Sequence, residues 1–253
     1  CGTLFVGDVR DFRLLSAFHA AVARARSTVM ATASDVRELM WESMGREMEL
    51  LVSPHFFETW AHRHSRVTQV LVMPKLTYCA NEMTRFRYDV AVHLDTPCQA
   101  AASVTMHAWA DENSSLRWLD DILRSSELDA IDIAGIPLPM TMADLSWCRQ
   151  LAVAADEDYI ASFPGENTVS GAAPMNLIAR CEEAGWRARA LLNGQIEGTY
   201  LLQATRGKHW PRVPNFEHTV TRVCNQPRVA RLSESLASEL RGRLKATLPD
   251  YMV

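Results

Sequence analysis

The chain has 253 residues, 48% apolar and 22% charged, with a formal net charge of −4 and a sequence pI near 6.1. That is ordinary globular composition with length for a sizeable core, and it excludes both a disordered chain and a basic nucleic-acid-binding surface. No apolar run reaches the ~18–20 residues that span a bilayer, and no signal-peptide pattern is present.

The six cysteines are scattered, with neither a CxxC pair nor a metal-ligand spacing. Reduced thiols in a soluble, cytoplasmic protein are expected, with no nucleic acid and no membrane among its partners. Both ends carry apolar residues, "CGTLFV" and "LPDYMV". Natural termini are usually polar and frayed, so a piece of a longer polypeptide is expected.

In chain order, "GTLFVGDV" (2–9) predicts a buried strand. Leu14, Leu15, Phe18 and Val22 fall at helical spacing behind it. Ser34 and Asp35 are candidate caps for a helix whose apolar positions include Val36, Leu39, Met40, Met44, Met48 and Leu51, ended or restarted by Pro54. A short helix over 56–60 follows. Strands are expected at 66–73, 84–94 and 104–109, and helices at 114–124, 143–155 and 174–184, the last between Pro174 and Gly185. Asn193-Gly194 between two apolar runs in 187–205 signals a hairpin. Residues 206–218 carry two prolines and little periodicity and read as a linker, extended here to 228. Val229, Leu232, Leu236, Leu240 and Leu244 then mark one face of a final helix. The mixture points to an α/β fold with a sheet covered on one or both faces.

One stretch stands out. Residues 81–90 read "NEMTRFRYDV", dense in ionisable and hydrogen-bonding groups. If 84–94 is a strand, Thr84, Phe86, Tyr88, Val90, Val92 and Leu94 share one face. Arg85, Arg87, Asp89, Ala91 and His93 share the other. A plain reading makes this a core face and a solvated face, with Arg87 and Asp89 a surface pair of ~0–1 kcal/mol. His62 and His64 form an H-x-H without a third ligand at useful spacing and read as a surface pair. His19 and Cys79 have nucleophilic chemistry, but nothing in the sequence orients them.

"NEMTRFRYDV" resembles a motif near the C-terminal end of the S-adenosylmethionine-dependent N-methyltransferase domains embedded in nonribosomal peptide synthetases. There it usually reads Asn-Glu-Leu-Thr-Arg-Phe-Arg-Tyr-Asp-Val, so Met83 is the one difference. "GTLFVGDVRDFRLLSAFHAAV" (2–22) is similar to the segment after the cofactor-binding half of those domains. Residues 224–253 resemble the place where the adenylation domain resumes, and 110–185 resemble the family only loosely. No G-x-G occurs in the chain, so the glycine turn that approaches the cofactor in such folds is missing. The adenylation core is also absent.

The resemblance implies the distal part of a Rossmann-like class I methyltransferase with an added α+β subdomain and a C-terminal hairpin (1–205), a linker (206–228) and a returning adenylation segment (229–253). It implies S-adenosylmethionine as cofactor, with its pocket mostly upstream, and ATP and Mg for the parent adenylation domain. The implied partners are a carrier domain bearing a phosphopantetheine-bound aminoacyl group, the missing halves of the synthetase and an MbtH-like protein.

Methyl transfer to an amine needs a neutral lone pair, and an α-amino group titrates near 7.7–8.0. A carboxylate within hydrogen-bond reach then suffices as base. Glu82 is the first candidate, at a loop-to-strand junction. Asn81 is read either as a holder of the substrate carbonyl or as the former of an Asx turn. Tyr88 is pulled toward the site by the resemblance and toward the core by the alternation. Arg85 and Arg87 are candidates to tie down Asp89, Glu82 or the phosphopantetheine arm. Asp8 and Arg10, after the first strand, line the acceptor side or form a charged turn with Asp11. Two rivals stand beside this reading: a non-catalytic α+β interaction or gatekeeping module, and a methyltransferase acting on a hydroxyl or thiol.

Overall fold

The computed structural model describes residues 1–77, 79, 81–95, 104–109, 115–125, 127–163, 171–214 and 222–227, with isolated positions at 235, 236, 239 and 243. The expected C-terminal helix and "LPDYMV" therefore lie outside the described residues, apart from those four positions. Cys98 lies outside them as well.

The fold is mixed α/β, as expected. The first sheet has the order β2 (Leu51–Val52), β1 (Gly2–Asp11), β4 (Arg87–Leu94), β3 (Val67–Pro74). The second has the order β5 (Thr105–Ala108), β6 (Ala130–Pro137), β8 (Thr199–Thr205), β7 (Arg187–Leu191). β1 is parallel to β2 and antiparallel to β4, and β3 is antiparallel to β4. One face of each sheet enters a common core. Val72, Tyr88, Val90 and Val92 of the first sheet meet Ile131, Ile133, Tyr200 and Leu202 of the second. That core is closed by α3 (Pro54–His62), α5 (Leu116–Arg124) and α7 (Pro174–Glu183), the last followed by Trp186.

α1 (Leu15–Arg26), α2 (Ala33–Gly45) and α6 (Pro139–Val153) form a second layer around Ala20, Ala23, Val36, Met40, Trp147 and Leu151. Small residues on α1 let its neighbours approach closely.

The structure corrects several expectations. The second helix is capped by Thr32, not Ser34, with Asp35 in the expected capping role: the Thr32 hydroxyl accepts from the Asp35 amide, and the Asp35 side chain accepts from the Thr32 amide. It stops at Gly45, and Leu51 belongs to a strand instead. Strand β4 starts at Arg87. Before it, Glu82–Arg85 make one helical turn, α4. β6 is not among the expected strands, because "AIDIAGIP" is buried on both faces over its first four residues and so lacks the alternation of burial that periodicity reads. The 187–205 hairpin is present, but Asn193-Gly194 is not a two-residue turn. The connection runs from 192 to 198, with Gly194 and Gly198 both at positive φ.

Asn193 instead joins the sheets. Its side-chain oxygen accepts from the Val72 amide at 2.8 Å, and its amide nitrogen donates to the Val70 carbonyl at 3.3 Å. The Leu192 amide donates to the Val72 carbonyl at 2.7 Å beside it. Beyond β8 the described chain folds back onto the second sheet: Val213 packs by Leu71, Leu191 and Leu201, and Trp210 lies under the Arg187 and Arg189 guanidiniums.

Candidate functional site

Since β1, β2 and β3 all oppose β4, their carboxyl ends and the start of β4 collect at one edge of the first sheet. Sites in α/β folds gather at such edges. This edge carries Val9–Asp11, Val52, Pro74 and the motif's Phe86, Arg87 and Tyr88.

Asn81 caps α4. Its side-chain oxygen accepts from the Thr84 amide at 3.2 Å, and the Thr84 hydroxyl accepts from the Asn81 amide at 2.9 Å. Asn81 shapes the loop, as one of its two expected roles has it, but as a helix cap to the i+3 amide and not as an Asx turn. Glu82 follows at the first helical position, exposed, and its carboxylate has no partner among the described residues. The Arg85 guanidinium reaches α6, 2.9 Å from Asp144, and lies 5.2 Å from the Phe86 ring. Tyr88 is fully buried. Its hydroxyl donates to the Val52 carbonyl at 2.6 Å, and burial drives its pKa upward. The alternation places it in the core, where its hydroxyl proton is committed to the Val52 carbonyl and away from the cleft's solvent.

Arg87 grips Glu49 with two hydrogen bonds, at 2.6 and 3.0 Å, and donates to the Asp8 carbonyl at 3.0 Å. Arg10, 5% exposed, reaches Glu47 at 2.7 Å and Glu49 at 3.4 Å, with its guanidinium 4.1 Å over the Phe18 ring. The expected partners of the two motif arginines are thus replaced: Asp144 and Glu49 take the place of Asp89 and Glu82. Asp89 instead pairs with Lys75 at 2.6 Å and accepts from the Asp8 amide.

Asp8 sits at a bulge between Val6 and Val9, with φ of 59°. Asp tolerates that left-handed conformation better than most residues. The bulge turns its carboxylate to Lys75 at 2.5 Å, and that hydrogen bond holds Asp8 below the usual carboxylate range. Burial alone depresses the Lys75 ammonium, but Asp8 and Asp89 outweigh it and raise its pKa.

A small cleft of about 40 Å³ opens at this edge, lined among others by Asp11, Arg13, Lys75, Arg85, Arg87 and Tyr88. Arg13 forks onto the buried Asp11, with Nη2 to Oδ2 at 2.6 Å. The structure therefore brings Arg85, Arg87 and Tyr88 together at the cleft. Asn81, Glu82, Asp8 and Arg10 do not line it. Three buried guanidinium nitrogens at this edge, Arg10 Nη2, Arg85 Nε and Arg87 Nε, have no hydrogen-bond partner among the described residues. Each such donor costs about 1–3 kcal/mol until an acceptor arrives.

Sequence reasoning missed Glu49, Glu47, Lys75 and Asp144. Glu47 and Glu49 were hidden by extending the Met stripe of α2. Their i, i+2 spacing beside Leu51 was the available sign of an extended chain. A larger cleft, about 450 Å³, lies elsewhere, between α3 and the start of β3, with His62 and His64 on its wall. No His, Cys, Asp and Glu grouping suited to a metal is found among the described residues.

No protein-family model matches the chain. Its homologues are nonribosomal peptide synthetases, and the similarity runs along essentially the whole chain. Over 267 residues it is 32% identical to chondramide synthase of Chondromyces crocatus, covering 100% of this chain and 7% of that protein. It is 27% identical over 288 residues to the beauvericin nonribosomal cyclodepsipeptide synthetase of Beauveria bassiana, covering 99% and 9%. Against cyclosporin synthetase of Tolypocladium inflatum the figures are 25% over 281 residues, 99% and 2%. The chain spans less than a tenth of the length of each of these relatives.

Proposed function

We propose that this chain forms the acceptor side of an N-methyltransferase within a nonribosomal peptide synthetase, acting on an aminoacyl thioester held on a carrier domain. The observation that carries the reading is the state of Glu82. Every other ionisable side chain of the motif is tied down: Arg85 to Asp144, Arg87 to Glu49, Tyr88 to Val52 and Asp89 to Lys75. Glu82 alone of these presents an exposed, unpartnered carboxylate among the described residues, on a turn fixed by the Asn81 cap. A carboxylate held at a rigid position is suited to taking the proton from an amine as positive charge builds on nitrogen. The unpartnered donors of Arg10, Arg85 and Arg87 suit carbonyl or phosphate oxygens of a thioester arm.

S-adenosylmethionine supplies the methyl group in this reading. The described residues do not fit it at the motif edge: the cleft is about 40 Å³, against roughly 300 Å³ or more for a typical ligand site. Its pocket belongs to the remainder of the polypeptide. The free edge of β1 supports a Rossmann-like continuation there. Among the described residues β1 meets β2 only at Arg10 and Asp11 and pairs with nothing else on that side, and Leu4 and Phe5 are 51% and 61% exposed on its opposite faces. ATP, Mg and an MbtH-like partner belong to the adenylation part of the reading, as does the 229–253 segment.

The test is single-turnover methylation by the full synthetase with its carrier loaded, read by mass spectrometry of the released amino acid. Glu82→Gln keeps the shape and removes the base, and the rate is expected to fall on the order of 10²-fold. An unchanged rate overturns Glu82 as base and moves the role to Asp8 or an upstream group. A second reading, an interaction or gatekeeping module, is favoured by the way the motif's other side chains are used for packing. It predicts that the full synthetase transfers no methyl group at all.

A further inference from the structure

His19, which nothing in the sequence oriented, is oriented in the fold. α1 and α2 lie side by side and leave a cleft of about 290 Å³ between them, with His19, Ser43 and Glu47 in its lining and Arg26, Glu42 and Arg46 also along it. His19 is 4% exposed. Its Nδ1 lies 2.7 Å from the Ser43 hydroxyl, and its Nε2 lies 3.1 Å from Glu47 Oε2. Glu47 is in turn fixed by Arg10 at 2.7 Å.

The hydrogen-bond inventory selects the tautomer. Burial raises the Glu47 pKa, but the Glu49 amide and Arg10 outweigh it and hold the group below its usual range. It is therefore a carboxylate and accepts only, so His19 Nε2 carries the hydrogen and Nδ1 accepts from the Ser43 hydroxyl. Burial also lowers the His19 pKa against the pull of Glu47, keeping the ring neutral. A hydroxyl bonded to a neutral imidazole, itself oriented by a fixed carboxylate, is the arrangement that activates a serine.

We propose that Ser43, His19 and Glu47 form an acyl-transfer centre, outside the motif cleft and joined to its edge through Arg10, that takes small acyl esters or thioesters. Ser43 Oγ bonds to the acyl carbon as its proton passes to His19 Nδ1. Collapse breaks the carbon–sulfur or carbon–oxygen bond, and the leaving thiol or alcohol takes that proton. Water then attacks the acyl-serine with His19 as base, releasing the carboxylic acid and restoring Ser43. Two guanidiniums line the same cleft and supply positive charge for the developing oxyanion. Arg46 shares its charge with Glu42 at 2.6 Å, and Arg26 has no partner among the described residues. The proposal does not depend on the methylation reading.

The test treats the full chain with a fluorophosphonate probe and with p-nitrophenyl acetate. One phosphonylated residue is expected, mapped to Ser43 by peptide mass spectrometry and lost in Ser43→Ala. Ester hydrolysis is expected to fall about 10²-fold or more in His19→Gln. Ser43→Cys guards against a variant that only misfolds: its thiol is expected to react with iodoacetamide faster than the exposed Cys1 and Cys79, and to lose that advantage when His19→Gln is added. A folded wild-type chain that takes no label, a label elsewhere, or hydrolysis unchanged in Ser43→Ala overturns the proposal.

Discussion

The edge is held by charges that the sequence showed without their partners. Glu49 is 41% exposed at its side chain, yet it neutralises Arg87 and helps neutralise Arg10, at 15% and 5%. Glu49→Ala leaves both guanidiniums under-compensated. The expected loss is roughly 1–3 kcal/mol, discounted for the exposed carboxylate, and is read from urea melts. Tyr88→Phe leaves the Val52 carbonyl without its donor and is expected to cost about 1 kcal/mol, with the fold unchanged. Tyr88 was legible, because period-two alternation fixes which face a side chain takes. Glu49 was not, because a pairing across 38 positions leaves no local trace.

A third residue gives a pH signature. Asp132 on β6 is 1% exposed, and burial pushes its pKa up to about 6 against the Gln203 hydrogen bond. The unfolded chain ionises this group first, so the native state loses ground as pH rises from about 4 to about 6 and stays at that level above. Asp132→Asn keeps an acceptor for Gln203 and removes the penalty. Stability of the variant relative to wild type is expected to climb across that window to a plateau of roughly 3 kcal/mol. A difference independent of pH contradicts the assignment.

At the scale of elements, the decisive piece is the connection between β7 and β8. A two-residue Asn-Gly turn would have left Asn193 at the surface. The observed connection buries it, 2% exposed, and uses its side chain to complete the edge of β3. Asn193→Ala orphans the Val72 amide and the Val70 carbonyl where the sheets join, at an expected cost of about 2–4 kcal/mol by denaturant melts. Asn193→Asp keeps one acceptor and is expected to lose less. The amphipathic helices, the hairpin and the existence of the first strand were legible because their patterns are local, but that strand was expected buried and is exposed from Gly2 to Phe5, because its outer side meets β2 only at Arg10 and Asp11 among the described residues. β6 and the two-residue β2 were not: one lacks alternation, and the other exists only because β1 pairs with it.

At the scale of the molecule, two sheets share one core and present the motif edge of the first. Beside it, β1 keeps a side that is unpaired from Gly2 to Val9 among the described residues, with apolar residues on both faces. An edge of that kind pairs or is covered in a stable protein. In the proposed reading the rest of the synthetase lies along β1, which fits the small cleft and an exposed Glu82 on a rigid turn. Local patterns could announce the motif but not this arrangement, which depends on chain that pairs from a distance.

The most direct measurement is transfer of labelled methyl from S-adenosylmethionine to the aminoacyl group on the loaded carrier, made with the full synthetase and with its Glu82→Gln variant. Label on the amino nitrogen in the wild type, falling on the order of 10²-fold in the variant, is the predicted result. A folded, carrier-loaded synthetase that transfers no methyl group contradicts it.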